Sequence, residues 1–252
     1  MRTGNPIRIK TPDEIKILRE AGRILALIIS ELKRSLKSGV TTQDIDQRAE
    51  ALMAAYKVKP AFKGYRGFPK SICVSLNEQV VHGIPSDRVV KEGDIVSLDV
   101  GIMFQDYFAD TAVTIGVGRI HPKLQRLMEV TESSLYKGIA QAKVDNHLSD
   151  VSSAIQNFVE SNNFAVVRDF VGHGIGRSLH EDPEVPNFGT PHHGPILKEG
   201  MVLAIEPMVN LGTWKTRVLG DGWTVVTEDG QSSAHFEHTI AITNRGPEIL
   251  TK

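Results

Sequence analysis

The sequence contains an internal repeat, and this feature limits the possible folds more than any other. Residues 91–99, Lys-Glu-Gly-Asp-Ile-Val-Ser-Leu-Asp, align with residues 198–206, Lys-Glu-Gly-Met-Val-Leu-Ala-Ile-Glu, so that Asp99 stands opposite Glu206. Further stretches align in the same order, around Pro12 and Pro122 and at residues 37–45 and 143–151. The repeat predicts a single α+β domain over residues 1–252, with similar halves at roughly 10–118 and 120–250.

Hydrophobic periodicity predicts helices, strands, helices and strands in that order. Apolar residues recur at helical spacing after Pro12, up to a polar break at residues 37–39. Further helices are expected at about 45–56, 122–142 and 148–161, with Thr42 as the N-cap of the second. Residues 57–69 are expected to form an irregular loop. Runs rich in β-branched residues predict strands at 71–75, 95–100, 111–117, 202–205, 223–227 and 238–243.

Four acidic residues occupy equivalent places in the two halves. Asp99 and Glu206 each follow an apolar strand, and Asp110 and Glu237 begin two shorter segments that also resemble each other. Isolated carboxylates at strand ends are usually solvated or ion-paired, but two matched pairs on facing halves would meet at a shared midline. Carboxylates brought together in this way repel one another and require a cation, so two divalent ions would balance them.

Histidines supply further candidate groups. His82 and His173 both stand in His-Gly-Ile contexts, and His180 follows seven residues after His173. These three are candidates for a metal ligand and for hydrogen bonds to a substrate amide. His235 and His238 flank the acidic residue at position 237, so we expect both to face away from it, in structural or supporting roles.

Hydrolysis is the chemistry that such a constellation favours. A pair of divalent ions lowers the pKa of a bridging water and polarises a carbonyl, and a neighbouring carboxylate can carry a proton to the leaving amine. The sequence lacks a Gly-x-x-x-x-Gly-Lys-Ser/Thr phosphate loop, a Gly-x-Ser-x-Gly motif and a His-Glu-x-x-His motif. The candidates are therefore expected to act as a metallohydrolase.

Composition excludes several other classes of protein. The formal net charge of −1 provides no global field for nucleic acid or membrane surfaces. Cys73 is the single cysteine, which excludes an intrachain disulfide and favours a reducing compartment. The most apolar stretch, residues 24–29, is too short to cross a bilayer, and the N-terminus lacks the pattern of a signal peptide. We expect a cytoplasmic protein without membrane or sequence-specific nucleic-acid partners.

Five motifs are the most specific features of the sequence: Ser75-Leu-Asn-Glu-Gln-Val-Val-His-Gly-Ile-Pro85, Ser97-Leu-Asp-Val-Gly101, Gly172-His-Gly-Ile-Gly176, Ala204-Ile-Glu-Pro207 and Phe236-Glu-His-Thr-Ile240. Together with the overall pattern, they resemble the type I methionine aminopeptidases of the compact bacterial kind. The resemblance covers nearly the whole chain, and we expect neither the N-terminal zinc-binding extension nor the helical insertion of other branches.

The resemblance implies the pita-bread fold, with helices packed on an antiparallel sheet in each pseudo-symmetric half, and a dinuclear centre of Co, Mn, Fe(II) or Zn. The implied bridging ligands are Asp110 and Glu237. Glu206 would also take part in proton transfer, while His82 and His180 would contact the substrate near the scissile amide. The implied ligands are Asp99, Asp110, His173, Glu206 and Glu237.

The resemblance also implies a pocket for the methionine side chain, formed by Tyr65, Phe68, Cys73 and Trp223; without the resemblance, these residues would be interpreted as ordinary core. Aromatic and sulfur surfaces suit a thioether physically.

The chain departs from the common family pattern at three places. Leu179 replaces a frequent Phe and could loosen one pocket wall, Phe108 and Ala109 replace His-Gly, and His235 replaces Gln. These departures put local packing in doubt but leave the implied ligands in place.

The implied substrates are the N-termini of nascent polypeptides whose second residue is small, cleaved by a monomeric enzyme. Two rivals remain open: a proline-directed peptidase of the same fold, and a non-enzymatic relative that binds partners through an inactive cleft. The loop after the second helix is basic, and its positive residues either make transient contact with ribosomal RNA or are simply solvated. These residues are Lys57, Lys59, Lys63, Arg66 and Lys70.

Overall fold

The computed structural model describes residues 6–252. Its elements follow the order helices, strands, helices and strands, as the sequence predicts. The expectation that no signal peptide is present concerns residues 1–5 in part, and these lie outside the described residues. From residue 6 onward, none of the helices combines the length and apolar composition that crossing a bilayer requires.

The first helix pair comprises α1 (Pro12–Ser35) and α2 (Thr42–Ala55), and each helix begins with a capping box. The predicted N-cap of α2 was wrong by one residue. Thr41 is the N-cap: its hydroxyl accepts from the Asp44 backbone N–H at 3.0 Å. Thr42 is instead the first residue of the helix. Its buried hydroxyl donates to the Ser86 carbonyl of a neighbouring loop.

The second pair comprises α3 (Pro122–Ile139) and α4 (Leu148–Ser161). The prediction for α4 is confirmed, whereas α3 ends three residues earlier than predicted. The Gln141 N–H bonds to the Gly138 carbonyl at 2.9 Å, so the chain tightens into an i→i−3 turn at this point.

Fifteen strands, most of them short, complete the described chain. The loop predicted at 57–69 contains a two-residue strand and a 3₁₀ turn at Tyr65–Gly67. The strands are β1 (Lys59–Pro60), β2 (Cys73–Leu76), β3 (Gln79–Val81), β4 (Ile95–Phe104), β5 (Tyr107–Gly116), β6 (Ala165–Val166), β7 (Gly172–Gly174), β8 (Glu181–Val185), β9 (Val202–Ile205), β10 (Met208–Asn210), β11 (Thr216–Val218), β12 (Val225–Thr227), β13 (Ser233–His235), β14 (His238–Thr243) and β15 (Gly246–Ile249).

Each half contains one main antiparallel sheet. In the first half, β4 pairs with β5 along its whole length and with β1 and β2 on its other edge. In the second half, the order is β15-β14-β9-β7-β8. Strand β4 is longer than predicted because Gly101 does not end it: a side chain at Gly101 would lie 2.6 Å from the Phe62 ring, so glycine is required by packing.

The helices cover one face of each sheet. Leu25 and Ile28 of α1 share a core cluster with alternate residues of β4, among them Val96 and Leu98. In the other half, residues of α3 and α4 share a second cluster with Leu203 and others of β9. Because side chains alternate along a strand, the intervening positions of β4 and β9 face away from the helices, towards the junction of the two halves.

Candidate metal centre and substrate pocket

Strand alternation directs two of the predicted acids into this junction. Asp99 lies between Leu98 and Val100 of β4, both of which are buried in the helix-facing core. Glu206 follows Ile205 of β9, which is buried in the equivalent core of the second half. Asp99 and Glu206 therefore lie on the faces opposite the helices, as the repeat indicated.

Hydrogen bonds across the junction hold the other two acids. The Asp110 backbone N–H donates to the Thr239 hydroxyl at 3.0 Å, and this hydroxyl donates to the Asp110 carbonyl at 2.7 Å. The Thr111 hydroxyl donates to the Glu237 carbonyl at 2.6 Å, and the Glu237 N–H donates to the Ala112 carbonyl at 2.9 Å. These bonds fix β5 of one half against residues 237–239 of the other, so Asp110 and Glu237 have rigid backbones.

Asp110, His173 and Glu237 form a compact group of potential ligands. One ligand atom from each lies within 4.8 Å of the other two, and all three residues are buried. Asp110 Oδ1 and Glu237 Oε1 have no hydrogen-bond partner. Buried carboxylate oxygens without a donor are costly unless a cation completes them, and two carboxylates with an imidazole suit a divalent transition metal. The residues therefore fit the metal that the resemblance implies.

Asp99 and Glu206 flank this group rather than belong to it. Asp99 lines the same pocket as Asp110, and the negative charge of Asp110 helps to raise its pKa. On the other side, Glu206 Oε1 lies 3.7 Å from His173 Nε2. The five predicted ligands thus meet around one space, with Asp110, His173 and Glu237 at its centre.

The carboxylates of the site have perturbed acidities. Burial raises the pKa of Asp110 from 3.8 to about 7. Burial, together with the negative charges of neighbouring acids, raises the pKa values of Asp99, Glu206 and Glu237 well above their ordinary range. Without a cation, the site would hold protons at neutral pH, and a divalent ion would displace them.

His173 presents one nitrogen to the site. Its Nδ1 lies 2.9 Å from the Gly174 carbonyl oxygen, which accepts only from a protonated Nδ1. Burial lowers the His173 pKa from 6.5 to about 4, so the ring is neutral and its Nε2 carries a lone pair. This arrangement is the one that a metal-ligating histidine needs.

The two predicted substrate histidines lie at the pocket wall. His180 Nδ1 is 2.9 Å from the Tyr65 hydroxyl, and the rings of His180 and His173 are 4.2 Å apart. His82 has a φ of 58°, an uncommon value for a non-glycine residue. Burial lowers the His82 pKa to about 4. The close turn depends on Gly83, where a Cβ would lie 2.3 Å from the Val74 carbonyl oxygen.

The four residues predicted to bind a methionine side chain also line the same pocket as the metal candidates. Phe68 and Trp223 pack edge to face with ring centroids 5.2 Å apart, and the His82 ring lies 6.2 Å from Trp223. Cys73 is buried and pairs in register with Asp99 across β2 and β4. The apolar wall and the carboxylates are therefore two sides of one cleft.

Three lining residues were missed or only partly recognised from the sequence. Leu179, noted only as a departure, is buried in the pocket wall. Phe62 and Arg66 line the pocket as well, although both lie in the segment predicted to be an irregular loop. The replacement at 108–109 is accommodated, since Ala109 is buried and the Phe108 N–H donates to the Gly176 carbonyl.

The predicted orientation of His235 was wrong, whereas its supporting role stays a prediction. Its Nε2 lies 3.4 Å from Glu206 Oε2, so the ring faces the carboxylates instead of the opposite side. The signal was present in the numbering: residues two apart in an extended segment share a face, as His235 and Glu237 do. His238, which directly follows Glu237, points away from the carboxylates, and its Nδ1 lies 2.9 Å from the Thr251 hydroxyl.

Known proteins match this chain along almost its whole length. The family model of metallopeptidase family M24 matches residues 16–244. Methionine aminopeptidase 1 of Bacillus subtilis (strain 168) is 55% identical over 243 residues, covering 96% of this chain and 98% of that protein. The crystal structure of methionine aminopeptidase from Rickettsia prowazekii has a TM-score of 0.97 at 40% identity, covering 98% of this chain and 100% of that chain.

A more distant structure shares the fold of this chain but belongs to a longer protein. The prolidase from Pyrococcus horikoshii OT3 has a TM-score of 0.78 at 25% identity, and the match covers 97% of this chain but 63% of that one. The pita-bread fold is thus common to both, whereas the full-length matches are to methionine aminopeptidases. The chain belongs to metallopeptidase family M24 and, within it, to the methionine aminopeptidases.

Proposed function

We propose that this protein is a metal-dependent aminopeptidase that releases the N-terminal methionine of peptides and newly made proteins whose second residue is small. One observation carries the proposal: the partnerless oxygens of Asp110 and Glu237 lie beside His173 at one end of a pocket whose other wall is apolar. A cation site joined to an apolar pocket is what hydrolysis next to a methionine side chain requires.

Asp99, Asp110, His173, Glu206 and Glu237 would hold the metal ions, with Asp110 and Glu237 shared between two of them. When bound, divalent Mn, Fe, Co or Zn polarises the scissile carbonyl and lowers the pKa of the attacking water. The metal requirement follows from family M24; the number of ions and the sharing of ligands belong to the proposal.

The surrounding residues have separate tasks. Glu206 would accept a proton and pass it to the leaving amine, a role favoured by a pKa that burial raises well above the ordinary value. His82 and His180 are neutral under ordinary conditions, because desolvation by the surrounding protein lowers both pKa values even though part of His180 is exposed. Both would hydrogen-bond the amide being cleaved. Tyr65, Phe68, Cys73 and Trp223 would surround the methionine side chain.

The wider setting of the reaction is also part of the proposal. The protein would act as a cytoplasmic monomer on nascent N-termini. Its two similar halves would descend from the duplication of one ancestral half. Ribosome contact through the basic loop would have to compete with existing pairs, because Lys63 is bonded to Glu50 and Lys70 to the Gln43 side chain.

Release of free methionine from Met-Ala-Ser and Met-Val-Ser tests the proposed function. Chelator-treated protein should be inactive, and single additions of Mn, Fe(II), Co or Zn should restore cleavage of the alanine peptide well above the valine peptide. Ala-Pro-Ser serves as a control for the proline-directed rival. Cleavage of Ala-Pro-Ser alone, or full turnover in chelator, would contradict the proposal.

A further inference from the structure

Arg66 is a permanent cation in the substrate pocket to which neither the metal centre nor the methionine pocket assigns a role. It lines the same cleft as Asp99, Asp110, His173, Glu206 and Glu237. Every other lining residue is apolar, acidic, a tyrosine, a cysteine or a histidine. The cleft therefore has one guanidinium, set against several carboxylates that the metal would neutralise.

Exposure locates Arg66 at the mouth of the pocket. Among its lining residues only Arg66 and His180 are exposed, whereas Phe68, Cys73 and Leu179 are buried. When the methionine of a bound peptide occupies the buried end of the pocket, the C-terminal part of the peptide must extend out through this mouth. The guanidinium thus lies along the path of the residues that follow the scissile bond.

The turn that carries Arg66 is well defined. Arg66 has a φ of 48°, and backbone bonds close the turn on both sides: Gly64 N–H to the Phe68 carbonyl at 2.8 Å and Phe68 N–H to the Tyr65 carbonyl at 2.9 Å. The guanidinium carbon lies 5.3 Å from the centroid of the Tyr65 ring. Since Tyr65 and Phe68 are pocket walls, the backbone of Arg66 is held next to the substrate pocket.

Arg66 has no counter-ion within the part of the chain that the structure describes. It takes part in none of the ion pairs formed among residues 6–252, although Lys63 in the same loop is paired with Glu50. A guanidinium with five donors in a fixed fork binds carboxylates better than any other common side chain.

We propose that Arg66 binds a carboxylate of the substrate on the C-terminal side of the scissile bond, and so makes the enzyme favour methionyl peptides that are acidic there. This inference rests on the proposed function and adds a substrate class to it. The carboxylate can be an Asp or Glu side chain or the free C-terminus of a short peptide, because both present the same group.

Three peptides separate the two sources: Met-Ala-Asn-amide has no carboxylate, Met-Ala-Asp-amide has one in its side chain, and free-acid Met-Ala-Asn has one at its C-terminus. With Mn²⁺ at low ionic strength, we expect kcat/KM of the wild-type protein to be about two- to fivefold higher for at least one carboxylate peptide than for the neutral peptide. The gain should lie in KM and should shrink at high salt.

Three variants assign this preference. Arg66→Gln should give the same kcat/KM for the three peptides, and Arg66→Lys should retain part of the preference. Lys59→Gln is the matched control, because it removes an exposed positive charge from the same segment of the chain but outside the pocket lining. This variant should keep the wild-type preference. Thermal unfolding of each variant checks that the fold is kept.

The outcomes are distinguishable. No preference in the wild type, a preference that survives in Arg66→Gln, or an equal loss in Lys59→Gln would overturn the role of Arg66 and leave the proposed function standing. Failure of the wild-type protein to cleave even Met-Ala-Asn-amide would contradict the proposed function, and this inference with it.

Discussion

Two groups of carboxylates in this molecule have opposite surroundings. In the cleft, Asp110 and Glu237 have buried oxygens without a donor, and burial raises the pKa of Asp110 to about 7. Near the start of α1, the Tyr107 hydroxyl donates to Glu14 at 2.6 Å, and this bond is the largest cause that lowers the Glu14 pKa to about 2. One group lacks donors, and the other is supplied with them by the chain itself.

The carboxylates with internal partners include Glu181, next to the predicted substrate residue His180. Lys10 Nζ lies 2.7 Å from Glu181 Oε2, and both side chains are only 5% exposed. Glu181 directly follows His180, and Arg177 in the same loop donates to Glu14 at 3.2 Å. The comparison indicates that a cation from the chain serves structure here, whereas the cleft carboxylates are left for a cation from outside.

The most damaging change is expected in the cleft. Asp110→Asn keeps the size of the side chain but removes the central negative charge, so we expect methionine release to fall on the order of 10³-fold. Steady-state kinetics with saturating Mn²⁺ measures this. The matched control is Glu20→Gln on the exposed face of α1, which should retain full activity; a loss below tenfold for Asp110→Asn would contradict its central position.

Breaking the internal pair should affect stability instead. Lys10→Met leaves Glu181 buried without its cation, and we expect the free energy of unfolding to fall by about 3 kcal/mol. Urea unfolding measures it at saturating Mn²⁺. The double variant Lys10→Met/Glu181→Leu removes both charges and should recover much of the loss, so equal destabilisation of the single and double variants would show that charge pairing is not the cause.

The two groups should respond to pH with opposite signs in metal-free protein. The Asp110 pKa is raised to about 7, so the folded state binds more protons than the unfolded state above pH 3.8, and stability falls as pH rises towards 7. The expected loss is on the order of 2 kcal/mol. The Glu14 pKa is lowered to about 2, so its contribution is present above pH 4.5 and is lost as pH falls towards 2.

Urea unfolding of chelator-treated protein across this range separates the signs. Asp110→Asn should flatten the decline towards neutral pH, and Glu14→Gln should leave it intact. A wild-type stability that stays constant or rises between pH 4 and 7 in chelator would contradict the raised Asp110 pKa.

The smallest effect is expected for Glu14→Gln. Glu14 and its ion-pair partner Arg177 are partly exposed, and the amide still accepts from Tyr107. The free energy of unfolding should therefore fall by no more than about 1 kcal/mol, with methionine release unchanged. Urea unfolding at neutral pH and the methionine assay test both statements. A loss as large as that of Lys10→Met would mean that the partly exposed pair is as important as the buried one.

Local periodicity made much of this arrangement accessible from the sequence. The helices were found because apolar residues recur at helical spacing, and Asp99 and Glu206 were matched because each follows an apolar run in the internal repeat. The internal repeat then brought the two halves face to face. These features depend on neighbouring residues, which the sequence displays directly.

Other features depend on contacts between distant segments and had no such signal. The pair Lys10–Glu181 joins residues 171 positions apart, and nothing near either residue predicts it. From the sequence, Arg66 was assigned to an irregular basic loop. Its place in the pocket could not be predicted, because it is set by packing of the Tyr65–Gly67 turn against the sheets. His235 was different: the spacing of two residues contained the answer, and the strand alternation was applied to it incorrectly.

Calorimetric titration of Mn²⁺ into chelator-treated protein tests most directly the claim that the cleft carboxylates await a cation. The wild-type protein should bind the ion and unfold at a higher temperature in its presence, and Asp110→Asn should bind it at least about tenfold more weakly. Absence of binding to the wild type, or equal binding by the two proteins, would contradict the account.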